Sequence, residues 1–243
     1  MNLLNTILFV IIQFLANVIQ AITGFGGGPI AMPPSMALVG ASQAKAAITF
    51  IMWFSPLIIT IQSIKDVDFK KLGIILVSML PTVVLGLWLF RTLPLRELML
   101  VYGIIVVIIG AKKLFFPAKK PLPKPLQIVA LIFAGLMQGM FTSGGPFLAL
   151  YSTFALPDKR KFRATVSATW ATINTYMVIS MYRQGMYDAS AKSLSLYSVV
   201  PVLIALWVGN KLNKKMKQES FMKLVFVLLM ISGSLLVVNY FNA

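Results

Sequence analysis

Eight long apolar stretches follow one another along this chain, at residues 3–22, 46–64, 72–90, 98–116, 126–141, 164–182, 194–210 and 221–241. A helix needs about 20 mostly apolar residues to cross a hydrocarbon core. Inside that core each backbone amide and carbonyl must find its partner within the protein. Such a series leaves one fold class open, an all-α polytopic transmembrane helical bundle. Two shorter apolar runs, 29–40 and 146–156, each follow a glycine-rich break. The expected membrane architecture is therefore eight long and two short segments. Only 12% of residues are charged, about half the share usual in a soluble domain, and no polar region is long enough to fold by itself. The start, Met1-Asn2-Leu3-Leu4, lacks the basic region of a cleavable leader, so the first run is read as a span.

The chain carries 22 Lys+Arg against 6 Asp+Glu, a net charge of +16. In a soluble protein this would suggest nucleic acid. Here the basic residues form short clusters between apolar runs, where membrane topology places them, so no nucleic-acid partner is expected and the lipid bilayer is. Cysteine and histidine are both absent. Disulfides and thiol nucleophiles are excluded, zinc and haem sites are disfavoured, and neither a cofactor, a metal site nor a catalytic residue is expected.

The sequence repeats itself. Gly27-Gly28-Pro29 returns as Gly144-Gly145-Pro146 at an offset of 117, and Gln20 as Gln138 at 118. Lys45-Ala46 returns as Arg163-Ala164, and Thr49 as Ser167, also at 118. Gly86 and Gly110 match Gly209 and Gly233 at 123. The expected organisation is a first transmembrane repeat at 1–116, a cytoplasmic linker at 117–125 within the basic, proline-rich stretch from Lys112 to Pro125, and a second repeat at 126–243. If the short segments cross, each repeat has five segments and the second is inverted. One side then holds 17 of the Lys and Arg residues and the other 5. If they do not cross, the split is 10 against 12. Because cytoplasmic loops carry the excess of basic residues, the inverted repeat is preferred. A multi-pass protein of the cell inner membrane is expected, with both termini outside the cytoplasm.

The breaks read Thr23-Gly24-Phe25-Gly26-Gly27-Gly28-Pro29 and Phe141-Thr142-Ser143-Gly144-Gly145-Pro146. Glycine unwinds a helix and admits positive φ, and proline suits the first turn of the next one. That next helix starts with free N–H groups at the positive end of its dipole, a ready anion site. Discontinuous helices at a repeat interface are a recurrent transporter device, although glycines also serve close helix packing. A Cβ at Gly27 or Gly144 is expected to crowd this cradle and to oppose positive φ.

The Thr23 to Gly28 stretch, its echo at Ser143 to Pro146 and the paired halves resemble the TauE/SafE family of sulfite and sulfonate transporters. The resemblance covers the whole chain. It implies a secondary transporter, an exporter or permease, for a small anion such as sulfite, thiosulfate or an organosulfonate.

The candidate substrate-binding residues are the backbone of Gly26, Gly27, Gly28, Gly144 and Gly145, with side-chain donors from Gln20, Thr23, Gln138, Thr142 and Ser143. Thr49, Ser167 and Asn174 join them from the following long segments. Amide and hydroxyl donors suit oxyanions without the cost of a buried charge, although a Ser or Thr in a helix often bonds its own backbone. Trp53 and Trp170 are each a site wall or an interfacial anchor. Lys45 and Arg163 are candidate gate charges, one toward each mouth. The six acids, Asp66, Asp68, Glu97, Asp158, Asp188 and Glu219, are all expected in loops, so no carboxylate relay is evident at membrane depth. A coupled proton or other ion stays open as a partner, as does the oligomeric state. The alternative functions are a channel-like facilitator or a cation carrier, then a membrane enzyme, then a scaffold subunit. The missing intramembrane acids count against the cation carrier, and with the missing His and Cys against the enzyme.

Overall fold

The computed structural model describes residues 2–92, 95–115 and 123–242. Most of the predicted linker, residues 117–122, lies outside them. Among the described residues there are ten α-helices, one 3-10 turn and no strand. The helices are α1 (Leu3–Thr23), α2 (Gly27–Val39), α3 (Ala41–Gln62), α4 (Phe69–Thr92), α5 (Leu95–Phe115), α6 (Lys124–Phe141), α7 (Gly145–Ala155), α8 (Lys159–Arg183), α9 (Ala189–Lys215) and α10 (Gln218–Asn242). Each of the ten apolar runs falls on one of them. Five, namely α1, α3, α4, α6 and α9, are long and apolar enough to cross a membrane by length and composition. Helix α8 is long but carries Thr165, Ser167, Thr169, Thr172, Asn174 and Thr175, which lower its hydropathy.

Local chemistry sets the helix ends. Gly24 closes α1 in the left-handed region, φ 81°, and its N–H reaches the Gln20 carbonyl at 2.7 Å, a conformation that glycine adopts without strain. Asp158 caps α8 by accepting from the Arg160 and Lys161 amides, at 2.9 and 3.0 Å. Asp188 caps α9 through Ala191 at 2.7 Å, and Asp68 accepts from the Lys71 amide at 3.0 Å. Glu97 and Glu219 are not in loops as expected but in the first turns of α5 and α10, where the helix dipole favours negative charge.

The helices alternate between two ends of the bundle. At the first end Asn5 donates to the Leu38 carbonyl at 2.9 Å, so α2 returns beside the start of α1. There too Gln43 donates to Asp188 at 3.1 Å. At the second end Asn210 donates to Gln62 at 3.0 Å, and Asn213 to the Ile22 carbonyl at 2.6 Å. The most extensive helix pairs are α5–α10, α4–α6, α1–α9 and α3–α8. Exchanging α1–α5 with α6–α10 leaves this set of pairs unchanged.

Small residues let these pairs approach closely, as expected where lipid supplies no hydrophobic drive between helices. A Cβ on Gly86 would lie 2.4 Å from the Leu136 carbonyl oxygen, and one on Gly139 2.3 Å from that of Val83. At the α1–α9 crossing a Cβ on Gly209 would meet Ala21 Cβ at 2.4 Å. Large apolar side chains stay exposed on the outside, among them Val77, Val84 and Trp88 of α4 and Val200, Leu203 and Trp207 of α9. Water would make this an aggregation surface, whereas lipid solvates it.

Two glycines of α4 give a paired test. Gly86→Ala should destabilise the purified protein by about 1–3 kcal/mol through overpacking. Gly73 has nothing within 4 Å of an added Cβ, so Gly73→Ala should be neutral or raise stability by about 1 kcal/mol. Thermal unfolding in detergent compares them, and equal Tm values would contradict the close α4–α6 crossing.

Candidate functional site

The two breaks meet at mid-depth. Around them lies a cavity lined by Gln20, Gly26, Gly28, Pro29, Met52, Gln138, Thr142, Gly145, Trp170 and Asn174. Met52 and Trp170 sit near the midpoints of α3 and α8. The cavity has about 230 Å³ of empty space, but the centre of a water molecule can occupy only about 10 Å³ of it, roughly the need of one water. All ten lining residues are buried.

The breaks touch directly, which is where glycine is indispensable. A Cβ on Gly28 would lie 2.1 Å from the Thr142 carbonyl oxygen, and one on Gly145 3.1 Å from Phe25 Cδ2. Positive φ falls elsewhere than expected. It occurs at Gly24 (81°), Gly26 (92°) and Thr142 (52°), whereas Gly144 has φ −67°. Gly144 is glycine for space, because a Cβ there would meet the Ala134 carbonyl oxygen at 2.2 Å. At Gly27 the nearest obstacle is Met52 Sδ at 2.9 Å.

Each restarted helix is braced by the glutamine that the repeat pattern singled out. The Gly27 amide donates to Gln20 Oε1 at 3.1 Å, and the Gly144 amide to Gln138 Oε1 at 3.1 Å. These two amides are therefore bonded within the protein rather than open to the cavity. Gln20 completes its brace locally, its Nε2 donating to the Gly24 carbonyl at 3.0 Å. Gln138 extends across the bundle. Its Nε2 donates to Asn174 Oδ1 at 2.8 Å, and Asn174 Nδ2 donates to the Met52 carbonyl at 2.6 Å. That carbonyl lacks its helical partner because residue 56 is proline and has no N–H. The proline-interrupted turn of α3, α8 and the start of α7 are thus joined by one chain of hydrogen bonds.

Of the remaining candidates Thr142 lines the cavity, and Thr23, Thr49, Ser143 and Ser167 support the breaks from behind it. Thr23 Oγ1 lies 2.9 Å from the Ile19 carbonyl oxygen and 2.6 Å from that of Phe25. Ser143 donates to the Phe141 carbonyl at 3.0 Å, and the Thr49 and Thr142 hydroxyls pair at 3.0 Å. Ser167 is fully buried beside Gly24, whose Cβ would lie 3.2 Å from Ser167 Oγ. Trp170 is a wall of the cavity, while Trp53 bridges α3 to α8 by donating to Thr175 Oγ1 at 2.9 Å. The sequence marks Pro29 as a helix starter rather than a lining residue and does not single out Met52. The repeat offset of 118 pairs Met52 with Trp170, which was the available signal.

The two candidate gate charges are packed, not open. Lys45 is fully buried with Nζ 3.3 Å from the Phe90 ring centroid. Arg163 donates from Nε to the Ala21 carbonyl at 2.6 Å and from its guanidinium to Asn210 Oδ1. No charged side chain lines the cavity. Among the described residues no group of three or more His, Cys, Asp or Glu is placed to hold a metal.

Comparison with known proteins agrees with this architecture. The chain aligns over 230 residues at 24% identity with a probable sulfite/organosulfonate exporter TauE of Cupriavidus necator, covering 89% of this chain and 88% of that one. It aligns over 172 residues at 22% identity with a probable inner membrane transporter protein TsaS of Comamonas testosteroni, covering 70% and 72%. No solved structure matches. The family model described as Sulfite exporter TauE/SafE matches residues 9–236, and the chain belongs to that family of membrane transporters.

Proposed function

We propose that the protein is a secondary carrier for a small sulfur oxyanion, sulfite or an organosulfonate, which it holds in the central cavity between the two breaks and exposes to each side in turn. The observation that carries this reading is the small cavity beside the midpoints of α3 and α8, walled by both broken helices and lined by buried residues throughout. A facilitator would need a continuous path. The helix starts at Gly27 and Gly145 aim the positive ends of two dipoles inward. Gln20 Oε1 and Gln138 Oε1 accept from the Gly27 and Gly144 amides, where the oxygens of a ligand would sit. An arriving oxyanion replaces those acceptors, and the freed glutamine amides turn their N–H groups to it.

The matched offsets and the exchange-symmetric helix pairs support an inverted duplication, with eight long and two short crossing segments. An inverted duplication with five segments in each half would gather 17 of the basic residues on the side of the second end, which the positive-inside rule makes cytoplasmic. The chain has no cysteine, so single cysteines report sidedness. In intact cells Gln184→Cys, at the first end, should react with an impermeant thiol reagent. Lys65→Cys, at the second, should react only after permeabilisation. The opposite pattern would invert the assignment.

Gln138→Ala removes a side-chain N–H donor to the bound oxyanion. A lost hydrogen bond to a charged group costs about 1.5–3 kcal/mol, so sulfite or sulfonate affinity measured by titration calorimetry should fall at least about tenfold. Wild-type affinity in a folded Gln138→Ala protein would detach the brace from the site. Gly144→Ala is a poorer probe, because its methyl group meets the α6 backbone before any ligand.

The capping role of the acids yields a further expectation. Asn caps a helix about as well as Asp. Asp158→Asn and Asp188→Asn should therefore each retain most proteoliposome uptake with little change in Tm. Loss of uptake in a folded, substrate-binding variant would show that a carboxylate takes part in coupling.

A further inference from the structure

The two halves share their central braces but differ in what lies above the first. Helix α1 carries Gln13, Asn17 and Gln20 on one face, at the spacing of successive turns. Gln13, Asn17 and the neighbouring Ser35 of α2 are fully buried. Gln13 Nε2 donates to Ser35 Oγ at 3.1 Å, and Asn17 Nδ2 to the Gln13 main-chain carbonyl at 2.8 Å. The donors are thereby used. The carbonyl oxygens Gln13 Oε1 and Asn17 Oδ1 are buried with no hydrogen-bond partner. Two such acceptors in a membrane interior are costly unless something fills them.

Helix α2 adds oxygens to the same neighbourhood. Pro33 and Pro34 stand inside it, and having no N–H they cannot serve the carbonyls of Pro29 and Ile30 one turn earlier. The second half has none of these features. Leu131 and Gly135 stand where Gln13 and Asn17 would repeat, and Leu150 and Tyr151 where Pro33 and Pro34 would, while Ser152 alone matches Ser35. Two extra buried amides and two extra prolines have thus been placed in one half of an otherwise matched pair.

From this we infer that Gln13 Oε1, Asn17 Oδ1 and Ser35 Oγ, with carbonyl oxygens of α2, form a Na⁺ site beside the anion cavity. Hard cations take oxygen ligands, and unwound carbonyls coordinate Na⁺ in discontinuous-helix carriers. An all-neutral oxygen set suits a monovalent ion, since divalent ions draw on carboxylates and neither α1 nor α2 contains a charged residue. The inference deepens the carrier reading by naming a coupling ion. It is one turn from Gln20 along α1, so an ion there fixes the helix that braces the first break and offsets the charge of the anion.

The test uses the purified full-length protein in detergent, without sulfite or sulfonate, heated in NaCl, KCl or choline chloride at equal ionic strength. At ten times its Kd, Na⁺ should raise the Tm by about 3–6 °C, and K⁺ and choline should not. Asn17→Leu and Gln13→Leu, which copy the apolar character of Leu131, should each abolish that rise, and Ser152→Ala in the other half should keep it. Should the leucine variants not fold, Asn17→Ser should move the Na⁺ titration midpoint at least tenfold higher. Equal Tm values in all three salts, or a Na⁺ response unchanged in the Asn17 variants, would overturn the site. Because chloride is common to all three salts and no sulfur oxyanion is present, that outcome leaves the anion-binding reading standing, and failure of sulfite or sulfonate binding leaves this one standing.

Discussion

The fold depends on how a helix can be interrupted inside a membrane. Stopping α1 at Gly24 and α6 at Thr142 strands amide groups at depth, where water cannot reach them and each orphan costs several kcal/mol. Gln20 and Gln138 answer this from one turn back, each placing its carbonyl oxygen 3.1 Å from the amide that opens the next helix. With the braces in place, the short helices α2 and α7 can turn back and bring Gly28 against the Thr142 carbonyl. The cavity exists because both interruptions are satisfied by side chains rather than by unbroken helix.

The braces are alike in position and unlike in reach. Gln20 closes a loop on its own break. Gln138 passes its second hydrogen bond to Asn174, which holds the Met52 carbonyl freed by Pro56. Repeat spacing pairs Asn174 with Pro56 itself, so the carbonyl that the proline frees in one half is held by the residue that stands in the proline's place in the other. Thr142 adds a second tie, to Thr49. At the equivalent place in the first half stand Phe25 and Ser167, whose Oγ has no hydrogen-bond partner. The second break is therefore cross-linked to α3, while the first, with glycines at positive φ on both sides of Phe25, is not cross-linked to α8 in the same way.

The sequence showed the large-scale features because hydrocarbon imposes them without regard to detail. Segment lengths, the two breaks and the pairing of Gln20 with Gln138 follow from apolar runs and fixed offsets. Element ends and local conformation did not follow. Glycine is chosen for positive φ at Gly24 and Gly26 but for close approach at Gly28 and Gly144, and only the neighbouring backbone tells these apart. Thr142 takes a left-handed conformation that composition would have given to a glycine. Met52 stands out only through its repeat partner Trp170, because its hydrogen-bonding contribution is a main-chain carbonyl exposed by a proline four residues later. Lys45 and Arg163 looked like charges at a mouth, yet one lies over Phe90 and the other is fastened to Ala21 and Asn210.

The polarity of α8 follows from the same economy. A helix facing lipid gains from apolar side chains on every side, but α8 packs against α3, α4 and the second break, and its buried face carries Thr165, Ser167, Thr169 and Asn174. Thr165 and Thr169 serve connections, the first accepting from the Asp68 amide at 3.0 Å and the second returning its hydroxyl to its own helix at 2.9 Å. Only Asn174 reaches the cavity. One polar side chain on a mostly self-satisfied helix is enough there, because the cavity draws its remaining polarity from backbone, from Thr142 and from two glutamines. Neutral groups that satisfy one another need no counter-charge, so such a site can pass through its unloaded state without stranding a buried ion.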